Sequence, residues 1–118
     1  MQRYKAVIID DERLARLSLS KELDKFPEIQ IVGEASGFDD GRYLVQKTKP
    51  DIIFLDIQLN DKEGNGFDLL NKMEYTGEVI FVTAFDEYAI RAFEVNAVDY
   101  LLKPVSHKRL KKSINRLF

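Results

Sequence analysis

Short apolar runs recur along the chain and are separated by longer segments of mixed polarity. Such runs predict buried β-strands when polar residues bound them. We expect strands at about residues 4–10, 29–32, 51–55, 78–82 and 98–102. The run at 29–32 is less uniformly apolar than the others, which is typical of an edge strand.

The segments between the runs repeat apolar residues at helical spacing. This spacing predicts helices near 12–26, 39–48, 66–75 and 86–95, and a last helix after Pro104. Strands that alternate with helices favour a parallel sheet with helices on both faces, joined by right-handed crossovers. We therefore predict an α/β fold, a flavodoxin-like doubly wound (βα)5 sandwich with strand order 2-1-3-4-5.

Local signals add detail to two of these helices. Asp39 or Asp40 can cap the second helix and Asp86 the fourth, because carboxylate oxygens accept hydrogen bonds from the free amides at a helix start. In the fourth helix we expect Ile90 and Phe93 on the buried side, as part of an unusually apolar segment.

Residues that can do chemistry follow four of the predicted strands. Asp10 and Asp11 follow the first strand, Asp56 the third, Thr83 the fourth and Lys103 the fifth. In an open parallel sheet, the carboxyl ends of the strands meet at one edge, and ligands bind there. The pattern therefore predicts a site for a divalent cation and a phosphoryl group.

The three aspartates would repel one another strongly unless a cation neutralised them. Carboxylates, a backbone carbonyl and waters suit Mg²⁺, and Mn²⁺ accepts the same oxygen ligands. We expect Asp11 and Asp56 to be the primary ligands. Asp10 would bind directly or through water, and the backbone carbonyl of Gln58 is a further candidate.

Asp56 is the candidate nucleophile because it ends a central, wholly apolar strand. A carboxylate can attack phosphorus and form an acyl phosphate. Lys103 and Thr83 would then offset charge on the phosphoryl oxygens, and the small side chain of Ala84 would leave room for the group. Each residue alone has an ordinary structural explanation, as a cap, a strand residue or a solvated lysine. Together they favour one site.

Composition narrows the classes of protein. The 118 residues suit one domain, and the net charge of −2 gives no sign of a nucleic-acid binder. The absence of cysteine excludes disulfides and thiolate metal sites. No apolar stretch approaches the roughly 20 residues of a membrane helix, so we predict a cytoplasmic domain without membrane contact. The apolar end at Leu117 and Phe118 favours a fragment of a longer chain.

Four motifs carry a family resemblance, and they lie in order along the chain at 7–12 (VIIDDE), 51–57 (DIIFLDI), 82–84 (VTA) and 100–104 (YLLKP). Together they resemble the receiver domain of bacterial two-component response regulators.

The resemblance implies that Asp56 accepts a phosphoryl group from a sensor histidine kinase. It also implies Mg²⁺ held by Asp10, Asp11 and Asp56. Lys103 would correspond to the lysine that the family has at this site. Two further implications concern the switch and the backbone. Thr83 would pair with Tyr100 as the switch residues, and the peptide bond before Pro104 would be cis.

The segments 82–93 and 99–104 are similar to a subgroup, the LytTR-type regulators, which join a receiver to a DNA-binding domain. The resemblance implies a transcriptional output through a C-terminal domain that this chain lacks. The receiver itself would not touch DNA. Phosphorylation would change the face formed by helix 4, strand 5 and helix 5, and residues 86–112 could form a homodimer.

The chain departs from the common receiver pattern at one place, and two alternative functions remain open. Asn60 lies where many receivers have proline, and the loop over 57–66 is long, which puts the phosphate lifetime in question. A haloacid-dehalogenase-like phosphatase would need an Asp-x-Asp pair, where this chain has Gln58. A degenerate receiver that only binds partners is the other alternative. Beyond phosphorylating and dephosphorylating itself at Asp56, the domain is not predicted to be an enzyme.

Overall fold

The apolar runs form the strands of one parallel sheet in the computed structural model, which describes residues 3–118. The strands are β1 (Tyr4–Ile9), β2 (Ile29–Ala35), β3 (Ile52–Leu55), β4 (Glu78–Thr83) and β5 (Asp99–Leu102). Their order is β2-β1-β3-β4-β5 and every neighbouring pair is parallel, so the predicted fold is confirmed. The central position of β1 and β3 brings the ends of these two strands side by side.

Five helices connect the strands and close the chain. They are α1 (Arg13–Leu23), α2 (Phe38–Thr48), α3 (Gly66–Met73), α4 (Ala89–Glu94) and α5 (His107–Asn115). Within residues 3–118, none of these helices combines the length and the apolar character needed to span a membrane.

The sheet divides the apolar core into two layers, because successive strand residues face opposite sides. Ile9 and Leu55 contribute to the layer that α2, α3 and α4 cover, whereas Ile8 and Phe54 contribute to the layer under α1 and α5. Both layers contain fully buried residues. With both faces covered, the chemistry is left to the edges of the sheet.

The predicted aspartate caps are wrong for both helices. The second helix begins at Phe38, and its amide donates to Asp61 from a distant loop over 3.2 Å. Asp40 instead accepts from the amide of Ser36 over 2.9 Å. The fourth helix begins only at Ala89 and has no side-chain cap, because the residues from Asp86 onward form a turn.

The predicted burial of the fourth helix is also wrong. Ile90 and Phe93 are 79% and 82% exposed, and Ala92 is the residue of α4 that faces the core. The helix spans only six residues, so little more than one turn packs on the sheet. The small Ala92 faces the core and thereby fixes which side of the helix is buried. Two large apolar side chains are consequently left at the surface.

An ion-pair cluster ties β5 to α5. Arg109 donates to both oxygens of Asp99 over 2.8 Å, and Arg116 lies 3.2 Å from the same carboxylate. Burial alone would raise the pKa of Asp99, but the hydrogen bonds from Arg109 and from the Tyr100 amide outweigh it and hold the pKa below its ordinary value. Part of the basic last helix is thus paired within the domain.

Candidate phosphoacceptor and metal site

Acidic side chains converge where β1 and β3 end. The register pairs Ile9 with Leu55, and the Asp56 amide donates to the Ile9 carbonyl over 2.9 Å. Asp10 and Asp56 therefore leave adjacent strands at the same level. One carboxylate oxygen from each of four residues lies within 4.8 Å of the others, and the four are Asp10, Asp11, Glu12 and Asp56.

Lys103 bridges the two buried acids of this cluster. Its Nζ lies 2.7 Å from Oδ2 of Asp10 and 2.9 Å from Oδ2 of Asp56, and both carboxylates are about 5% exposed. Burial lowers the pKa of Lys103, but its hydrogen bonds to Asp10 and Asp56 outweigh that effect and raise the pKa above its ordinary value. The ammonium is therefore charged at neutral pH.

The unfavourable electrostatics of the cluster raise the pKa of Asp10. Burial raises its pKa, and the hydrogen bonds from Lys103 and from the Glu12 amide offset only part of that rise. Asp56 adds to the rise through like-charge repulsion. A second cation beside these acids would relieve the repulsion that Lys103 leaves.

Backbone contacts fix the positions of the lysine and the first aspartate. The Lys103 amide donates to the Thr83 carbonyl over 2.8 Å, which joins the ends of β4 and β5, and the Lys103–Pro104 peptide bond is cis. Arg16 on α1 donates to the Asp10 carbonyl over 2.7 Å. No sequence pattern predicts this role for Arg16, because the contact that links it to the site crosses a loop.

Thr83 is fully buried at the end of β4, and its neighbour Ala84 is exposed. The Phe85 amide lies 3.5 Å from the Thr83 hydroxyl oxygen. Tyr100 lies on the adjacent strand β5, is half-buried, and donates from its hydroxyl to the Phe85 carbonyl. Burial raises the pKa of Tyr100, so the hydroxyl stays protonated as a donor. The two predicted switch residues thus contact the same short loop.

The loop after β3 returns to the acidic cluster at two points. The Gln58 amide donates to Oδ1 of Asp56 over 3.3 Å. Asn60 donates from its side-chain amide to Oδ2 of Asp11, a contact that the sequence pattern does not predict. Glu12 was missed as a member of the cluster as well, although it directly follows the acidic pair.

The side chains at this edge suit a hard divalent cation. The cluster offers only carboxylate oxygens, and oxygen donors of this kind are those that Mg²⁺ prefers. Lys103 contacts two of these acids and approaches a third, Glu12, to 3.5 Å. The donor set therefore fits Mg²⁺.

Fold and site together define a doubly wound α/β domain with an acidic site at the carboxyl edge of its sheet. The protein-family model that describes the response regulator receiver domain matches residues 6–115 of this chain. The chain belongs to the family of response regulator receiver domains, as the order of its motifs predicted.

Curated relatives agree with this assignment. The sensory transduction protein LytT of Bacillus anthracis is 44% identical over 115 residues, which are 95% of this chain and 46% of that protein. The transcriptional regulatory protein BtsR of Escherichia coli strain K12 is 46% identical over 113 residues, 96% of this chain and 47% of that protein. The chain therefore spans about half the length of the curated relatives it matches. These relatives confirm the predicted LytTR-type resemblance.

Solved structures show the same architecture. The response regulatory domain of protein mrkE from Klebsiella pneumoniae superposes with a TM-score of 0.84 at 34% identity, over 96% of this chain and 93% of that one. The signal receiver domain of the putative response regulator NarL from Mycobacterium tuberculosis reaches 0.83 at 21% identity, over 99% and 97% of the two chains, and supports the fold alone.

Proposed function

We propose that this receiver domain is a phosphorylation-controlled switch in which Asp56 accepts a phosphoryl group from a sensor histidine kinase. The observation that carries the proposal is the bridge from Lys103 to Asp56 and Asp10 inside a four-carboxylate cluster. The arrangement gives a carboxylate nucleophile, a fixed ammonium and oxygen ligands for a cation within one small volume.

In the proposed transfer, an oxygen of Asp56 attacks phosphorus while the bond from phosphorus to the histidine nitrogen breaks, and the nitrogen leaves with the bonding electron pair. Lys103, already 2.9 Å from Asp56, offsets charge on the phosphoryl oxygens. Asp10, Asp11, Asp56 and the Gln58 carbonyl would hold Mg²⁺ or Mn²⁺. When bound, the cation supplies charge neutralisation for the phosphoryl oxygens and for the acids around them.

The proposed response uses the β4–α4 loop. Thr83 would donate its hydroxyl to the phosphoryl group, which draws this loop toward Asp56. The Tyr100 hydroxyl would then leave the Phe85 carbonyl and the ring would turn inward. An element with two such arrangements can be biased by a local change in charge. Because α4 follows the loop directly, the face formed by α4, β5 and α5 would change with it.

Several parts of the proposal concern the longer regulator. The names of these relatives, a sensory transduction protein and a transcriptional regulatory protein, support a transcriptional output. A C-terminal DNA-binding domain, a cytoplasmic location and a cognate kinase as partner are further parts of the same proposal. The receiver itself would contact neither DNA nor membrane. The exposed Ile90 and Phe93 support a homodimer through residues 86–112, because adjacent large apolar side chains at a surface favour association.

Incubation with acetyl phosphate and Mg²⁺, followed by intact-mass spectrometry, tests the acceptor. The wild-type chain should gain one phosphoryl group, and Asp56→Asn should gain none. Asp24→Asn is the matched control, because Asp24 is an exposed aspartate at the end of α1, away from the carboxyl edge of the sheet. An unchanged wild-type mass, or equal labelling of Asp56→Asn, would contradict the proposal. Omission of Mg²⁺ in the presence of a chelator should suppress the gain.

A further inference from the structure

The loop after β3 contains a contact that no step of the proposed transfer uses. Asn60 donates from Nδ2 to Oδ2 of Asp11, across 49 positions of the chain. Asp11 itself is only partly buried, and within the described residues the hydrogen bond from Asn60 is the contact that restrains its carboxylate. A carboxylate has two oxygens, so this bond engages one and leaves the other free to bind a ligand.

The backbone at Asn60 suits this task. Its φ of +50° lies in the left-handed region, which asparagine tolerates better than most residues. Proline at this position can neither adopt a positive φ nor donate a hydrogen bond. Asparagine at position 60 therefore supplies both the conformation and the donor that reach Asp11.

The neighbouring residues hold Asn60 in place. Asp61 accepts from the Phe38 amide over 3.2 Å with one oxygen and from the Glu63 amide over 3.0 Å with the other. Asp61 and Gly64 also form a short antiparallel bridge. The turn from 61 to 64 is thereby bonded to the start of α2, and this restrains the position of the neighbouring Asn60.

The far end of the loop is fastened to α3. The side chain of Asn65 accepts from the amides of Phe67 and Asp68 over 2.9 and 3.1 Å, while Asp68 accepts from the Asn65 amide over 2.9 Å. This reciprocal capping box fixes the start of the helix. Gly64 has φ of +135°, and a Cβ there would clash with the Asp68 side chain, so the turn requires glycine.

We propose that Asn60 is a positioning residue that orients Asp11 for the divalent cation. The inference rests on the proposed function, since it assumes that the acidic cluster takes Mg²⁺. Groups that hydrogen-bond a metal ligand fix its orientation, and their loss typically weakens metal binding by about 10–100-fold. Through Asn60 and Asp61, the long loop would couple the cation site to the start of α2.

Isothermal titration calorimetry with MgCl₂ tests the inference on the unphosphorylated chain. Asn60→Gly retains access to positive φ but removes the donor, so Mg²⁺ affinity should fall by roughly tenfold. Lys62→Ala, an exposed change in the same loop, should bind as the wild type does. Asn60→Ala, a second variant without the donor, should weaken binding as Asn60→Gly does.

Urea unfolding with a chelator present separates positioning from a structural role. The midpoint of Asn60→Gly should match the wild type, because the donor matters only for the orientation of Asp11. If the urea midpoint of Asn60→Gly fell far enough for loss of folded protein to explain its weaker Mg²⁺ binding, the positioning role would be overturned. Equal Mg²⁺ affinity of wild type and both Asn60 variants would overturn it too, while leaving the proposed function intact. Failure of the wild type to bind Mg²⁺ would instead overturn the proposed function and this inference with it.

Discussion

Lys103 and Asp56, 47 positions apart in the chain, meet with Nζ 2.9 Å from Oδ2 at the carboxyl edge of the sheet. The lysine thus neutralises part of the acidic cluster before any ion binds. Two opposite consequences follow for a variant that lacks the ammonium.

We expect Lys103→Met to bind Mg²⁺ more tightly than the wild type and to accept phosphate more slowly. The remaining carboxylates repel one another more strongly without Lys103, which favours a divalent cation. The transfer loses a fixed donor to the phosphoryl oxygens, a loss that lowers rates by roughly 100-fold in comparable sites.

Calorimetry with MgCl₂ and the time course of labelling by acetyl phosphate measure the two effects. Lys108→Met, on an exposed lysine of α5, is the control and should change neither quantity. Weaker Mg²⁺ binding in Lys103→Met would show that the lysine organises the acids more than it competes with the cation.

Asp99→Asn should lower the free energy of unfolding by about 1–2 kcal/mol at pH 7, because it removes the partner of Arg109 and Arg116. The folded-state pKa of Asp99 is depressed, so the carboxylate stabilises the fold fully above about pH 4. That contribution is lost as the pH falls through the folded-state pKa.

Urea unfolding at several pH values checks this dependence. The difference between wild type and Asp99→Asn should narrow as the pH falls from 7 toward 3, because protonation of Asp99 removes the ion pairs that the variant lacks. A gap that widened on acidification would contradict the assignment of the stabilising form to the carboxylate.

Gly66→Ala should destabilise the domain and slow phosphorylation together. An added Cβ would lie 2.6 Å from the backbone oxygen of Asp56, so α3 or the acceptor must move. Overpacking against backbone costs about 1–3 kcal/mol.

Gly41→Ala provides the comparison. There the Cβ would meet side-chain atoms of Ile9 and Leu69 at 3.3 and 3.4 Å, and the gain in helix propensity of about 0.5–1 kcal/mol offsets the tight fit. Thermal unfolding and acetyl phosphate labelling of both variants measure the difference. Equal behaviour of the two variants would mean that α3 shifts without disturbing Asp56.

Tyr100→Phe should loosen the β4–α4 loop in the unphosphorylated state. The variant keeps the ring but loses the hydroxyl that donates to the Phe85 carbonyl. Amide hydrogen exchange should become faster over 84–88, while the core strand β3 should exchange as in the wild type.

The exposed Tyr43→Phe in α2 is the matched control for that experiment. Unchanged exchange over 84–88 in Tyr100→Phe would show that the hydroxyl does not restrain the loop. Faster exchange in both variants would point to a general loss of stability instead.

The sequence alone determined the alternation of strands and helices, the order of the strands and the set of residues at the carboxyl edge. Burial of both sheet faces requires uniformly apolar strands, and such strands are recognisable in the sequence as short apolar runs. The acids and the lysine follow those strands directly, so topology carries them to one edge. The sequence by itself therefore places Asp56 and Lys103 at the same site.

Only the tertiary structure decided which polar groups meet between loops. The amide of Phe38 bonds Asp61 rather than a nearby aspartate, Arg16 holds the Asp10 carbonyl, and Asn60 reaches Asp11. The phase of α4, which exposes Phe93, depends on how one short turn docks on the sheet. These contacts cross loops, over 6 to 49 positions of the chain, and they repeat with no local period, so no pattern of neighbouring residues encodes them.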